Sequence, residues 1–223
     1  MIYDWNFNVV WEYRGVYWNG AQTTLAISFL SLFFAMILGL IIGIARQSNI
    51  RVLSIAASWY VEIIRDTPLL VQIVWIFYCL PILVGIDMTA FWSFVFTISV
   101  HFSAYMAEII RAGIASIDKG QTDAAKVLGL TYFQAMKRIV LPQAYRRMLP
   151  PLVNNFADMI KLSSLASVLG VYELLHSIDN IIMNTFRPLE LYTVLAIVYF
   201  LIIFPVAFGA RRLEIHYAQK FSR

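Results

Sequence analysis

The sequence predicts an all-α integral membrane protein, a single bundle of five transmembrane helices with a helical protrusion standing in water. Three observations predict it. Hydrophobic residues make up 61% of the chain and charged ones 13%, with a mean hydropathy of +0.73, a balance foreign to water-soluble domains. Uncharged runs of about 20 residues recur, the length a helix needs to cross roughly 30 Å of hydrocarbon at 1.5 Å per residue. Between two of these runs lies a charged stretch, Gly120–Pro151, that keeps helical spacing and carries its own caps. A chain of 223 residues with five spans has no room for a separate soluble domain.

Residues 1–20 hold Tyr3, Trp5, Phe7, Trp11, Tyr13, Tyr17 and Trp18. Rings with an apolar body and a polar edge settle at the membrane interface, so this segment is expected to lie on the membrane before the first span. The run 21–45 is the first span, and its Gly39 and Gly43 are spaced to let a neighbouring helix come close. Arg46 and Arg51 bracket a short loop, and 55–64 is apolar apart from Glu62. Thr67 as cap and Pro68 as first helical residue open the second uncharged run, 67–86. Arg65 then lies either at the membrane face or inside the bundle. Gly85-Ile86-Asp87 is a turn, 88–107 is the third span, and Glu108 and Arg111 form a pair one turn apart at its end. The fourth span runs from about 148 to 169. A polar loop is expected over 170–190, followed by the fifth span, 191–210.

Within the protrusion, Thr122 can cap a first helix, with Asp123 in its first turn. Gly129 stands where a left-handed residue ends it. Thr131 and Gln134 have capping-box spacing for a second helix, which should stop before Pro142. Helices of about two turns are marginal alone in water, so a partner is expected to supply the missing packing. Ala124, Ala125 and Leu128 share the face such a partner would grip. The alternative is an amphipathic connector lying on lipid.

Basic residues orient the chain. With the N-terminus outside, the inner segments hold Arg46, Arg51, Arg111, Lys119, Lys126, Lys137, Arg138, Arg146, Arg147, Arg211, Arg212, Lys220 and Arg223. The outer ones hold Arg14 and Arg187. The positive-inside rule selects this arrangement and puts the protrusion in the cytoplasm. The net charge of +4 is thereby explained by topology, and no nucleic-acid partner is expected.

Several chemistries find no support in the residues. No G-x-x-x-x-G-K-[ST] is present to cradle ATP phosphates, so hydrolysis is expected in another subunit. His101, His176 and His216 are far apart, without cysteine or paired carboxylates at ligand spacing, and no metal site is expected. The single Cys79 falls in an apolar run and reads as a packing residue. The opening MIYDWNFN lacks the basic start of a cleavable leader.

Polar groups in the fourth span should face the bundle interior or a wet cavity, because charge in hydrocarbon is costly. They are Asn154, Asn155, Asp158, Lys161, Ser163 and Ser164, of which Asn154, Asp158 and Lys161 share one helical face. Asp158 and Lys161 offer the acceptor and donor that an amino-acid zwitterion requires. Equally, they can neutralise each other at i, i+3. His101, with Ser103 and Tyr105, is a second candidate for the pathway in the third span, or a packed, hydrogen-bonded histidine.

The run Asp123-Ala124-Ala125-x-x-x-Gly129, followed by Phe133, Ile139, Leu141 and Pro142, resembles the EAA signature of the membrane subunits of ABC importers. YMAEIIRAGIASIDKGQ, LPQAYRRMLPPLVN and IRDTPLLVQ resemble the polar amino-acid branch, and the likeness extends from about Gly20 to Val171. Asp123 stands where that signature usually has glutamate. The resemblance implies a type I importer fold. Residues 1–20 would be an outer segment, 21–213 the transmembrane domain with coupling helices at about 120–141, and 214–223 a cytoplasmic tail. It implies ATPase subunits gripping Asp123, Ala124, Ala125, Leu128 and Gly129, with ATP and magnesium held by those subunits and no cofactor on this chain. It further implies a second permease subunit, identical or related, an extracytoplasmic solute-binding protein, a polar amino acid as cargo, and the bacterial inner membrane. Lys161, Ser163, Ser164 and Leu165 match the branch's K-x-[ST]-S-L. A rival reading is a membrane scaffold that docks a cytosolic partner without moving solute.

Overall fold

A computed structural model describes residues 3–48 and 50–221, with side chains as far as Tyr217. Among the described residues there is no strand. The helices are α1 (Asn8–Glu12), α2 (Arg14–Arg46), α3 (Arg51–Asp66), α4 (Leu69–Tyr78), α5 (Leu80–Val84), α6 (Ala90–Ala115), α7 (Lys119–Val127), α8 (Tyr132–Ala135), α9 (Leu141–Leu162), α10 (Leu174–Thr185) and α11 (Pro188–Phe221). A π-helical turn, Met136–Val140, joins α8 to α9, and a 3₁₀ segment, Ser163–Leu169, continues α9.

By length and composition α2, α6 and α11 are each able to cross a membrane, and the helix ending at Leu169 counts as a fourth span only together with α10, across a bend. The remaining expected span, 67–86, is not one helix. It breaks at Cys79 into α4 and α5, because Pro81 has no N–H to offer the carbonyl of Phe77. The opening of α4 also differs by one residue. Thr67 closes α3, its hydroxyl donating to the Ile63 carbonyl at 2.7 Å, and Pro68, with ψ 132°, caps α4.

Other boundaries move for identifiable reasons. Helix α2 begins at Arg14, inside the aromatic segment expected to lie flat, and Tyr17 is buried with its hydroxyl donating to the Leu191 carbonyl at 3.0 Å. Pro142 does not stop the protrusion's second helix. The π-turn shifts the bonding so that the N–H of Leu141 reaches the Met136 carbonyl, and Pro142 falls in the first turn of α9, where its missing donor is tolerated. The expected loop over 170–190 contains α10, which buries Leu174, Ser177, Ile178 and Ile181. Helix α11 runs on through the region expected to be a tail; Lys220 and Arg223 fall beyond the described side chains.

The chain divides into two compact units, Met1–Phe33 with Pro68–Ser99 and Ala157–Pro205, and Phe34–Thr67 with Val100–Phe156 and Val206–Arg223. In the first, Val9, Tyr17, Leu174, Ile178, Ile181, Leu191 and Leu195 form one core cluster. Two carboxylates are wholly buried beside it. Glu173 caps α10, accepting from the N–H groups of Leu175 and His176 and from the Tyr199 hydroxyl at 2.8–2.9 Å. Glu190 accepts from the Tyr3 hydroxyl at 2.5 Å and the Asn6 N–H at 2.9 Å, while Arg187 donates to the Asp4 carbonyl at 2.7 Å. Each buried charge is thus met by several donors, the condition for burying one at all.

In the second unit the two glycines of α2 do what their spacing suggests. A Cβ on Gly39 would lie 2.6 Å from the Cβ of Met106, and one on Gly43 3.2 Å from Ile110, so α2 and α6 touch backbone to backbone. Val61 of α3 packs there with Ala104 and Ala107. A separate cluster, Ile117, Val140, Ala144 and Met148, ties the end of α6 to the start of α9 and forms the footing of the protrusion.

Candidate functional site

The protrusion is a corner of two capped helices. Asp118, not Thr122, caps α7, accepting from the Gly120 N–H at 2.6 Å; Thr122 lies one turn inside and bonds back to the Lys119 carbonyl. Gly129 adopts φ +73°, and the N–H groups of Gly129 and Leu130 reach the carbonyls of Lys126 and Ala125 at 2.9 and 3.0 Å. This is the Schellman arrangement that a left-handed glycine permits. The capping box forms in full. Gln134 N–H donates to the Thr131 hydroxyl and Thr131 N–H to the Gln134 side chain. Helix α7 packs against α8 and the π-turn, so the corner has its own interior.

The expected gripping face is split. Ala125 is fully buried within its own unit, whereas Ala124 and Leu128, 40° apart around the helix, face outward. Asp123 pairs with Lys126 at 3.1 Å, both exposed, a contact worth at most about 1 kcal/mol. What the sequence reading missed is the apolar tip. Val127 is 88% exposed, Leu128 75%, Tyr132 79% and Phe133 73%. Four large apolar side chains thus stand exposed on a polar protrusion, the kind of surface that water does not favour and a protein partner would cover.

The footing is braced electrostatically as well. Glu108 receives both Arg46 and Arg111 at 2.5 Å, which joins the end of α2 to α6. The pair with Arg111 was expected; Arg46 is the addition.

Each pathway candidate has its own surroundings. Asp158 and Lys161 bond each other at 2.9 Å, both about half exposed, which is the self-neutralising alternative. The Ser163 and Ser164 hydroxyls donate back to the carbonyls of Ile160 and Lys161, as expected of serines in a tightening helix end. Asn154 lines a cavity of about 420 Å³ shared with Arg146, Arg147, Glu214 and Tyr217. The side-chain nitrogen of Asn155 is buried without a partner among the described residues. His101 is buried, its ring 5.1 Å from that of Tyr105. Arg65, whose place the sequence left open, holds its guanidinium 5.4 Å from the centre of the same Tyr105 ring.

Residues 19–217 match the family model described as binding-protein-dependent transport system inner membrane component. The chain is 37% identical over 215 residues to the glutamine transport system permease protein GlnP of Escherichia coli K12, covering 96% of this chain and 97% of that one. It is 39% identical over 198 residues to the probable amino-acid ABC transporter permease protein PatM of Vibrio harveyi, covering 87% and 88%. A solved amino acid ABC transporter crystallised with histidines superposes with a TM-score of 0.89 at 35% identity, over 97% of this chain and all of that one. A chain of the MetNI methionine ABC transporter shares the fold, with a TM-score of 0.77 at 18% identity, over 92% and 98%.

Proposed function

Since the chain belongs to the family of binding-protein-dependent transport system inner membrane components, we propose that it is the permease subunit of an ATP-driven importer of polar amino acids. Two copies, or this chain and a relative, enclose the path, and cytosolic ATPase subunits seat on Ala124, Leu128 and the apolar tip at Val127, Tyr132 and Phe133. Asp123 and Gly129 shape that seat, one by charge and the other by turning the chain. ATP and magnesium stay on the partner subunits, and a solute-binding protein delivers the cargo from outside. The chain lies in the inner membrane with its N-terminus outside, as the placement of its basic residues favours. Residues 1–20 belong to the outer side, 21–213 to the transmembrane domain and 214–223 to the cytoplasmic end.

The observation that carries this reading is the capped corner with an apolar tip, footed on the Ile117 and Val140 cluster. A partner that closes on ATP pushes the capped corner, and through its packed footing the displacement passes into α6 and α9. The permease supplies shape and selectivity and forms no bonds. A scaffold would need the same patch but would move no solute. Leu128→Asp, in proteoliposomes with the full assembly, separates the possibilities, since Leu128 touches little of its own chain. Uptake and ATPase attachment should both collapse while the permease stays folded. Undiminished uptake would remove the coupling role, and absence of uptake by the wild-type assembly with any amino acid would favour the scaffold.

A further inference from the structure

We propose that Arg65, at the break between α3 and α4, binds the carboxylate of the cargo, with Glu62 and Asp66 receiving its ammonium group. The proposal rests on the amino-acid reading above and gives that reading a site.

Position is the first reason. Tyr105, which the guanidinium covers, lies three residues before Glu108 on α6, about 4.5 Å along its axis. It also stands inside the uncharged stretch that Glu108 ends. A guanidinium at that level cannot face hydrocarbon cheaply, so it must meet water or a ligand.

Availability is the second. Arg65 is exposed and has no ion-pair partner among the described residues. Two other arginines of this unit, Arg46 and Arg111, are both taken by Glu108. Lys161, the donor the sequence offered instead, is engaged by Asp158. Contact with the face of Tyr105 positions the guanidinium yet uses none of its five N–H donors, which remain as a fork for a carboxylate. The ring is itself backed by His101.

The third is chemical completeness. Glu62, Arg65 and Asp66 fall at i, i+3 and i+4 on the end of α3, all exposed, with neither carboxylate in an ion pair. One cation and two anions on one helix end match both charges of a zwitterion. The interruption that follows, Thr67-Pro68, is the kind of helix break around which membrane transport sites form.

The test uses the purified permease–ATPase assembly without the binding protein. Its thermal unfolding is followed with free amino acids and with their α-amides, which keep the ammonium but lose the carboxylate. In the wild type at least one amino acid should raise the melting temperature and its amide should not. Arg65→Gln should erase that distinction and weaken apparent binding tenfold or more, with attachment of the ATPase subunits intact. Arg65→Lys, which keeps the charge but not the fork, should weaken it several-fold; if the glutamine variant does not assemble, this one decides. Wild-type affinity and acid-over-amide preference in either variant overturns the assignment. If no amino acid stabilises or is carried by the wild type, the amino-acid reading itself fails, and Arg65 loses this role with it.

Discussion

Substituting Gly129 should slow uptake in an order set by backbone conformation and not by side-chain size. The residue sits at φ +73°, and a Cβ added there would meet nothing within 4 Å. Alanine therefore brings no clash, only the left-handed penalty of about 1–2 kcal/mol for a residue with a Cβ. The corner it holds is made of one nine-residue and one four-residue helix, too short for much surplus stability. At tenfold per about 1.4 kcal/mol, Gly129→Ala should lower coupled uptake by up to about thirtyfold. Asparagine is larger but tolerates the left-handed region, so Gly129→Asn should retain more activity than alanine. The readouts are amino-acid uptake and cargo-stimulated ATP hydrolysis in proteoliposomes with the complete assembly. An asparagine variant as impaired as the alanine one, or worse, refutes the conformational account and means that the glycine is needed for close approach of the partner.

Further substitutions probe the scaffold behind the corner. Gly39→Ala should destabilise the purified complex by about 1–3 kcal/mol, read as a lower melting temperature, and Gly43→Ala by less, because the added Cβ meets Met106 at 2.6 Å but Ile110 at 3.2 Å; the reverse order would contradict the α2–α6 contact. Glu108→Gln leaves Arg46, only 10% exposed, without its countercharge and should cost toward the low end of about 3–5 kcal/mol. Arg111→Ala should cost under about 1 kcal/mol by the same measurement, since that side chain is 45% exposed. Asp158→Asn should change stability by no more than about 1 kcal/mol, its pair being half exposed. If Asp158 also serves the path, uptake kinetics will change in that variant while assembly holds; unaltered kinetics would leave it as Lys161's partner and nothing more.

The long elements were legible because they depend on counting. Uncharged runs located α2, α6 and α11, and local chemistry located Gly129, the Thr131–Gln134 box and the Glu108–Arg111 pair. What failed to show was decided by tertiary packing or by backbone bonding outside the α pattern. Helix α10 hides its buried stripe, Leu174, Ile178 and Ile181, among His176, Asp179, Asn180 and Asn184. Pro142 reads as a stop unless the π-turn before it is known, and no residue pattern announces such a turn. Ala125 looked like part of a gripping face because spacing alone cannot say which side of a short helix its own chain covers. The Lys161 side chain lay within reach of Asp158 in sequence, whereas Arg65 meets Tyr105 forty residues away, a proximity only the fold creates.

The carboxylate of Glu190 has a bearing on biogenesis. Its donors, Tyr3 and Asn6, are synthesised well before the helix it heads. Throughout insertion that group must stay hydrated or protonated. Only when that helix meets those earlier residues does the latch close, so replacing Tyr3 and Asn6 to remove those donors should yield protein that reaches the membrane yet is cleared by quality-control proteolysis.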